Sequence, residues 1–222
     1  MSMSGMRKRV RRIVSAAIES GPRAVLLTRG AKQRGAAQKV REFSALTALL
    51  RKRKLSVVVE IGTLHGGTLW AWCRLAEPNA LVVSVDLPGG EFGGGYTPDA
   101  EVLLRSYTHA EQELVLIRGD SHAPRTFEQL KVSLAGRRVD FLFIDGDHTY
   151  EGVKRDFDTY SQLVATGGII ALHDIVHHPG DPECEVDVFW QELSTARRTI
   201  ELIDLGDVRS RGQWGGIGVV QC

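Results

Sequence analysis

The sequence predicts an α/β fold: a Rossmann-like, doubly wound, mostly parallel seven-stranded sheet with an antiparallel last strand and two extra N-terminal helices. Three observations carry that prediction. From Leu55 onward, short apolar runs of strand length alternate with segments of helical periodicity, the order that builds a parallel sheet with helices on both faces. The first run, Val57-Val58-Val59, is apolar at consecutive positions, as a strand covered on both sides must be. The last two runs are joined only by Gly206 to Gly215, too short for a crossover helix, so they pair antiparallel.

Taken in order, the elements begin with a basic leader. Arg7 to Ser20 carries Val10, Ile13, Val14, Ala17 and Ile18 on one side of a helix, and Gly21-Pro22 ends it. Val25-Leu26-Leu27 reads as an apolar patch and 28–36 as a loop. A second helix covers about Ala37 to Lys54, with Val40, Phe43, Leu46 and Leu50 at helical spacing. Residues 1–54 hold 15 Lys or Arg against Glu19 and Glu42, so this extension is set apart from a domain over 55–222 that is net acidic. Such an arm can serve nucleic acid, but aromatic residues hardly interleave with its charges. A pair of solvated amphipathic helices is the preferred reading, with nucleic acid unlikely and a homo-oligomer expected.

The domain over 55–222 then runs strand by strand: Ser56–Ile61, Leu81–Val85, Leu114–Ile117, Asp140–Ile144, Gly168–Leu172, Ile200–Leu205 and Gly216–Val220. Helices are expected near 68–77, 98–111, 123–134, 149–164 and 184–195. With 222 residues and 43% hydrophobic composition the chain can bury a full core. No apolar run nears the roughly 18 residues of a membrane helix. The start, MSMSGMRKRVRR, lacks the apolar stretch of a secretory signal, and Cys73, Cys184 and Cys222 form no paired spacing. A reducing cytoplasm follows from both.

Ligands of such sheets bind beyond the carboxyl ends of the strands, and there the acids gather. The first strand ends in Glu60-Ile61-Gly62 and opens into Thr63 to Thr68, with Gly66-Gly67 at the start of the next helix. The pattern E-x-G-x-x-x-G is not the dinucleotide fingerprint, because Glu60 would repel a pyrophosphate; it favours a ligand bearing positive charge or free hydroxyls. Asp86 ends the second strand, where a carboxylate can take both hydroxyls of a ribose. Asp120-Ser121 follows the third and reaches the far end of a nucleoside. The fourth ends in Asp145-Gly146-Asp147-His148 and the fifth in His173-Asp174. Five successive acidic ends repel one another unless a cation or a hydroxyl-rich ligand offsets them. Oxygen donors beside imidazole suit Mg²⁺, Mn²⁺ or Fe²⁺, against the plainer alternative that DGDH is a turn and helix cap.

The stretches VVVEIGTLHGGT, SVDLPG, IRGDSH, FIDGDHTYEGVKRDF and GGIIALHD together resemble the class I S-adenosylmethionine-dependent methyltransferases over about residues 55–220. Within them the chain is similar to the metal-dependent small-molecule O-methyltransferases of the catechol, caffeoyl-CoA and macrolide-sugar type, and to the cephalosporin-hydroxylase-like group. The resemblance implies a cofactor site at Glu60, Gly62, Thr63, Gly66, Gly67, Thr68, Asp86, Asp120, Ser121 and Asp145. It implies a divalent metal on Asp145, His173 and Asp174, and His148 as the base that deprotonates an acceptor hydroxyl. Position 173 is usually an acid in these families; the histidine here favours a softer ion or a weaker site. The glycine-rich stretch Gly89 to Tyr96 is placed to be a lid. Rival readings are an RNA methyltransferase using the basic arm, a nicotinamide-dependent oxidoreductase, which Glu60 opposes, a non-catalytic nucleoside or sugar-binding module, and a non-haem iron hydroxylase.

Overall fold

The computed structural model describes residues 20–89, 96–206 and 214–222, together with the backbone of 12–15. All seven expected strands are present: β2 (Val57–Ile61), β3 (Leu81–Asp86), β4 (Glu113–Arg118), β5 (Val139–Ile144), β6 (Val164–His173), β7 (Thr199–Ile203) and β8 (Ile217–Gln221). An eighth strand, β1 (Arg12–Ser15), joins them at one edge. The sheet order is β1-β7-β8-β6-β5-β2-β3-β4. Strand β8 runs antiparallel to both β6 and β7, and every other pair is parallel.

The leader departs from expectation. Residues 12–15 are not helical but pair in parallel with β7, Ile13 opposite Glu201. The β-branched Ile13-Val14 suits a strand as well as a helix, and a free sheet edge decides the matter. The rest of the helix expected over 7–20 lies outside the described residues, and the first two helices among the described residues are α1 (Pro22–Lys32) and α2 (Val40–Leu50). Gly21 and Pro22 start a helix, since proline at the first helical position forfeits no hydrogen bond. The remaining helices are α3 (Gly67–Leu75), α4 (Pro98–Arg105), α5 (Pro124–Leu134), α6 (Tyr150–Tyr160) and α7 (Val186–Ala196). A single 3₁₀ turn, Ser161–Leu163, leads from α6 into β6.

Strand alternation sorts the side chains into two cores. Val57, Val59 and Ile61 face α5, α6 and α7, where Leu130, Phe157 and Trp190 are buried. Val58 faces the other way, onto Phe43, Leu46, Leu69 and Trp72 of α2 and α3. Helices α1 and α2 are thus packed into the layer that covers the sheet. Glu42 of α2, fully buried, accepts hydrogen bonds from the amides of Asp204 (2.9 Å) and Gly216 (2.8 Å), tying the N-terminal helices to the two C-terminal strands. Shortening Leu46 to alanine at this fully buried position costs about 2–5 kcal/mol. The apolar face of α2 is thus occupied within the chain by the sheet and α3.

Candidate active site

The chain runs outward from β2 to β3 and β4, then returns to the other side of β2 to lay down β5 and β6. That reversal opens a crevice at the carboxyl ends of β2 and β5. Gly62 and Asp145 stand on its two lips. The Asp145 amide donates to the Ile61 carbonyl (2.9 Å) and the Gly62 amide to that of Val85 (2.9 Å). Gly62 has φ +85°, and a Cβ there would lie 2.0 Å from the Asp145 carbonyl oxygen. A side chain would wedge β2 from β5, so the position requires glycine. Gly66, at φ +82°, begins α3 against the side chain of Leu104, while Gly67 is pressed to the backbone of Ala31 and Ala36. The close approach these two glycines permit is to other helices.

Glu60 sits on the same face of β2 as Val58 and is fully buried beneath α3. Thr63 Oγ1 donates to its Oε2 (2.7 Å) and Trp72 Nε1 to its Oε1 (2.6 Å). Burial pushes its carboxyl up to about 7, against the pull of hydrogen bonds from Thr68, Thr63 and Trp72. The Thr63 hydroxyl also meets Ser84 Oγ, which in turn bonds the Tyr96 hydroxyl. Glu60 therefore fixes the loop from within. Asp86, at the tip of β3, is also buried, and its Oδ1 accepts the Thr63 amide (3.1 Å). The Gly119 amide bonds the Asp86 carbonyl (3.0 Å), which sets Asp120 and Ser121 beside it. Asp120 is exposed and accepts the His122 amide (2.8 Å); the Ser121 carbonyl accepts the Tyr160 hydroxyl (2.7 Å). Four of the predicted cofactor residues, Gly62, Thr63, Asp86 and Asp120, thus gather along one rim, with Glu60 buried beneath it. The Gly89 to Tyr96 stretch falls almost wholly on 90–95, outside the described residues.

The densest group lies at the ends of β5 and β6. Asp145 Oδ1 is 3.1 Å from His173 Nδ1 and 3.5 Å from His148 Nε2. His173 Nδ1 is also 2.9 Å from Asp174 Oδ2, and His148 Nε2 is 3.9 Å from that oxygen. Burial opposes ionisation of the Asp145 carboxyl, yet the His173 charge and hydrogen bonds from His148 and His173 outweigh it and hold the group well below the usual carboxylate range. For both imidazoles burial works downward and the neighbouring carboxylates win, so both are raised. Asp174 adopts φ +59°, a left-handed conformation costly for a non-glycine residue, which turns its carboxylate back onto His173.

The DGDH sequence divides between two roles. Asp147 Oδ1 accepts the Thr149 amide (2.9 Å) and hydroxyl (2.8 Å), and Thr149 caps α6 through the Gly152 amide (3.0 Å). Asp147 braces the Thr149 cap of α6, whereas Asp145 and His148 face the crevice. Two neighbours of the site escaped the sequence reading. Gln38, just before α2, donates from Nε2 to Asp145 Oδ2 at 2.6 Å. Cys184, before α7, groups with His148 and Asp174, its thiol pushed up to about 12 mainly by burial. Neither carries a local signal: each depends on a contact across the fold.

The donors Asp145, His173 and Asp174 fall within 4.8 Å of one another. Their spacings of 3.1 and 2.9 Å match the roughly 3 Å that separates adjacent ligands around an ion bound at about 2.1 Å. The three residues therefore fit a divalent cation. The crevice likewise fits a nucleoside cofactor: buried carboxylate on β3, exposed carboxylate after β4, and a glycine turn that leaves β2 open.

Residues 59–175 match the profile of a family described as a methyltransferase domain. An uncharacterized protein of Sinorhizobium fredii, y4gI, is 26% identical over 159 residues, 70% of this chain. The chain spans only 16% of that relative's length. Among solved structures it is similar to the O-methyltransferase TomG from Streptomyces achromogenes, determined with S-adenosylmethionine (TM-score 0.58, 15% identity, 93% of each chain). The O-methyltransferase from Bacillus cereus with S-adenosylhomocysteine gives TM-score 0.57 at 17% identity, over 94% of this chain and 95% of that one. The MycE methyltransferase of the mycinamycin pathway, with Mg and S-adenosylhomocysteine, gives 0.50 at 17% identity, covering 71% of this chain and 38% of that one. Sheet order, crevice and matched residues agree, and the chain belongs to the methyltransferase domain family, with the class I fold of the S-adenosylmethionine-dependent methyltransferases.

Proposed function

We propose that this protein transfers a methyl group to a hydroxyl of a small molecule, assisted by a divalent cation. The observation that carries this reading is the group Asp145, His148, His173 and Asp174, two carboxylates and two imidazoles drawn together at the mouth of the cofactor crevice. The cofactor would be held by the Gly62–Thr63 turn, by Asp86 toward the ribose and by Asp120 and Ser121 toward the base. Asp145, His173 and Asp174 would hold the cation. When bound, S-adenosylmethionine would supply an electrophilic methyl group and the cation would lower the pKa of the acceptor hydroxyl.

The chain's own part is positioning and proton transfer. His148 Nε2 accepts the hydroxyl proton, and the Asp145 carboxylate 3.5 Å away stabilises the imidazolium that results. Gln38 holds the second oxygen of Asp145, so that carboxylate cannot swing out of the crevice. Buried His173 places a cationic or ligating nitrogen between the two aspartates and keeps them from separating. The test is calorimetry with S-adenosylhomocysteine, then turnover of an acceptor panel in chelator and with added Mg²⁺, Mn²⁺ or Fe²⁺. Binding of the nucleoside with activity restored only by metal supports the whole reading. Absence of heat removes the cofactor, and full activity in chelator removes the cation.

A further inference from the structure

A groove of about 860 Å³ runs along the outside of α3, between the turn that ends α1 and the helix α4. It reaches the turn after β2 at Leu64 and His65, and none of Asp145, His148, His173 and Asp174 lines it. Its lining is unlike the crevice: Arg34 and Arg74 face it, and no Asp or Glu contributes to it among the described residues. The Arg34 guanidinium lies 4.4 Å from the centre of the Trp70 ring and 5.9 Å from that of Tyr107; Arg74 lies 5.5 Å from the same indole. Neither arginine forms an ion pair among the described residues. Arg34 donates one Nη1 hydrogen bond to the Gly30 carbonyl (3.0 Å) and Arg74 meets His109 Nε2 (3.0 Å).

This is a built arrangement. A Cβ at Gly30 would come 2.4 Å from the Trp70 ring, so α1 lets the indole lie flat against its backbone. Gly35, at φ +88°, bends the chain so closely over His65 that a Cβ would lie 2.7 Å away. The indole is fixed from below and presents its ring to both guanidinium groups. Stacking on an aromatic ring holds a guanidinium plane while leaving its edge to bind two oxygens of one anion. Two cations with no carboxylate partner among the described residues repel each other, and a bound anion removes that repulsion. Leu64, Leu103 and Leu104 form an apolar wall beside them.

We infer that this groove is a second ligand site, for a carboxylate or phosphate ester carried on an aromatic ring. The anion lies between Arg34 and Arg74 and the ring rests on the leucine wall. Calorimetry on protein saturated with S-adenosylhomocysteine tests it with four probes. Phenyl phosphate and benzoate carry both features, inorganic phosphate has the anion alone and phenol the ring alone. At least one of the first two binds at millimolar concentration or tighter, and quenches the fluorescence contributed by half-buried Trp70. Whichever binds better identifies the headgroup. In the double variant R34Q/R74Q that affinity drops at least about tenfold, the loss of charged hydrogen bonds, while S-adenosylhomocysteine binds as before. Benzoate and phenyl phosphate both failing to bind overturns the inference. So does equal binding by the double variant, or by inorganic phosphate alone. Heat from the nucleoside without heat from the aryl anions condemns the groove only; the reverse condemns the methyltransferase reading and leaves the groove standing.

Discussion

Two carboxylates end adjacent strands of this sheet, Glu60 fully buried and Asp145 half-buried, and their surroundings drive them apart. Glu60 on β2 is surrounded by neutral donors, two threonine hydroxyls and an indole, and burial lifts it to about 7. Asp145 on β5 is surrounded by His173, His148 and the Gln38 amide, and the charged partners override burial to keep it ionised. Burial is the largest influence on both. What differs is whether the compensating partner carries charge. A carboxylate held by neutral donors stiffens a loop; one held by imidazoles is a lasting negative charge at a site that handles protons and cations. The same residue type at the same end of neighbouring strands thus serves structure in one case and chemistry in the other.

The largest effects should come from dismantling the charged side. With an acceptor in hand, Asp145→Ala is expected to abolish metal dependence and cut turnover by about 10³-fold or more, and His148→Ala to cut it by about 10²–10⁴-fold. S-adenosylhomocysteine affinity in His148→Ala should stay within a fewfold of wild type by calorimetry. A His148→Ala enzyme that turns over normally would remove the base.

On the neutral side, Glu60 leaves a pH signature on stability. Its folded value of about 7 lies above the ordinary 4.5, so the folded state holds a proton that the unfolded chain has released. Stability should therefore fall as pH rises from 4.5 to about 7 and level off above, by a total of about 3 kcal/mol. Glu60→Gln should erase that decline in denaturant titrations across the range, whatever it does to the absolute level. An unchanged slope would show that the carboxyl is ionised in the fold. Smaller still is a matched pair of single deletions. Gln38→Ala removes a donor from a charged oxygen and should cost about 1.5–3 kcal/mol; Trp72→Phe removes one from Glu60 and should cost nearer 1 kcal/mol for the hydrogen bond. Chemical denaturation measures both, with the cost of the volume lost at fully buried Trp72 added to the second.

The sheet was legible because its signal is local: consecutive Val and Ile runs with acids at their ends. The helix expected over 7–20 was not, because its apolar spacing fits a strand equally well and pairing with β7 settles the choice. Gly21-Pro22 stops one helical pattern and starts another, and only the fold says which applies. Asp145 and His148 could be picked out from their motif, and Asp147 could not be told from them until its bonds to Thr149 were visible. The inward direction of Glu60 follows from its being two residues after Val58 on a strand, a period-2 argument available from the sequence. Gln38 was beyond reach: an uncharged amide in a basic leader, meeting a residue 107 positions away.

A third carboxylate sharpens the contrast at the smallest scale. Asp156, in α6, is fully buried like Glu60 but faces an imidazole like Asp145, with His122 Nε2 3.3 Å from its Oδ1. It packs beneath Gly146, where a Cβ would lie 3.3 Å from its Oδ2, so it supports the DGDH turn without lining the crevice. His122 is raised by its hydrogen bond to Asp156, which burial only partly offsets. The folded state therefore holds the imidazole proton more tightly than the unfolded chain does. That stabilisation is fully present below the ordinary value of 6.5 and is lost as pH rises through the higher folded value. One proton is involved, so the slope cannot exceed about 1.4 kcal/mol per pH unit. His122→Gln should remove this decline above pH 6.5 while leaving the Glu60 decline below about 7 in place. Asp156→Asn, which keeps the shape of the side chain, should flatten the same upper range. Both variants should bind metal as wild type does, because neither residue touches Asp145, His173 or Asp174 among the described hydrogen bonds and ion pairs. If either weakened metal binding as strongly as Asp145→Ala, Asp156 would be a working carboxylate of the site and not a support beneath the DGDH turn.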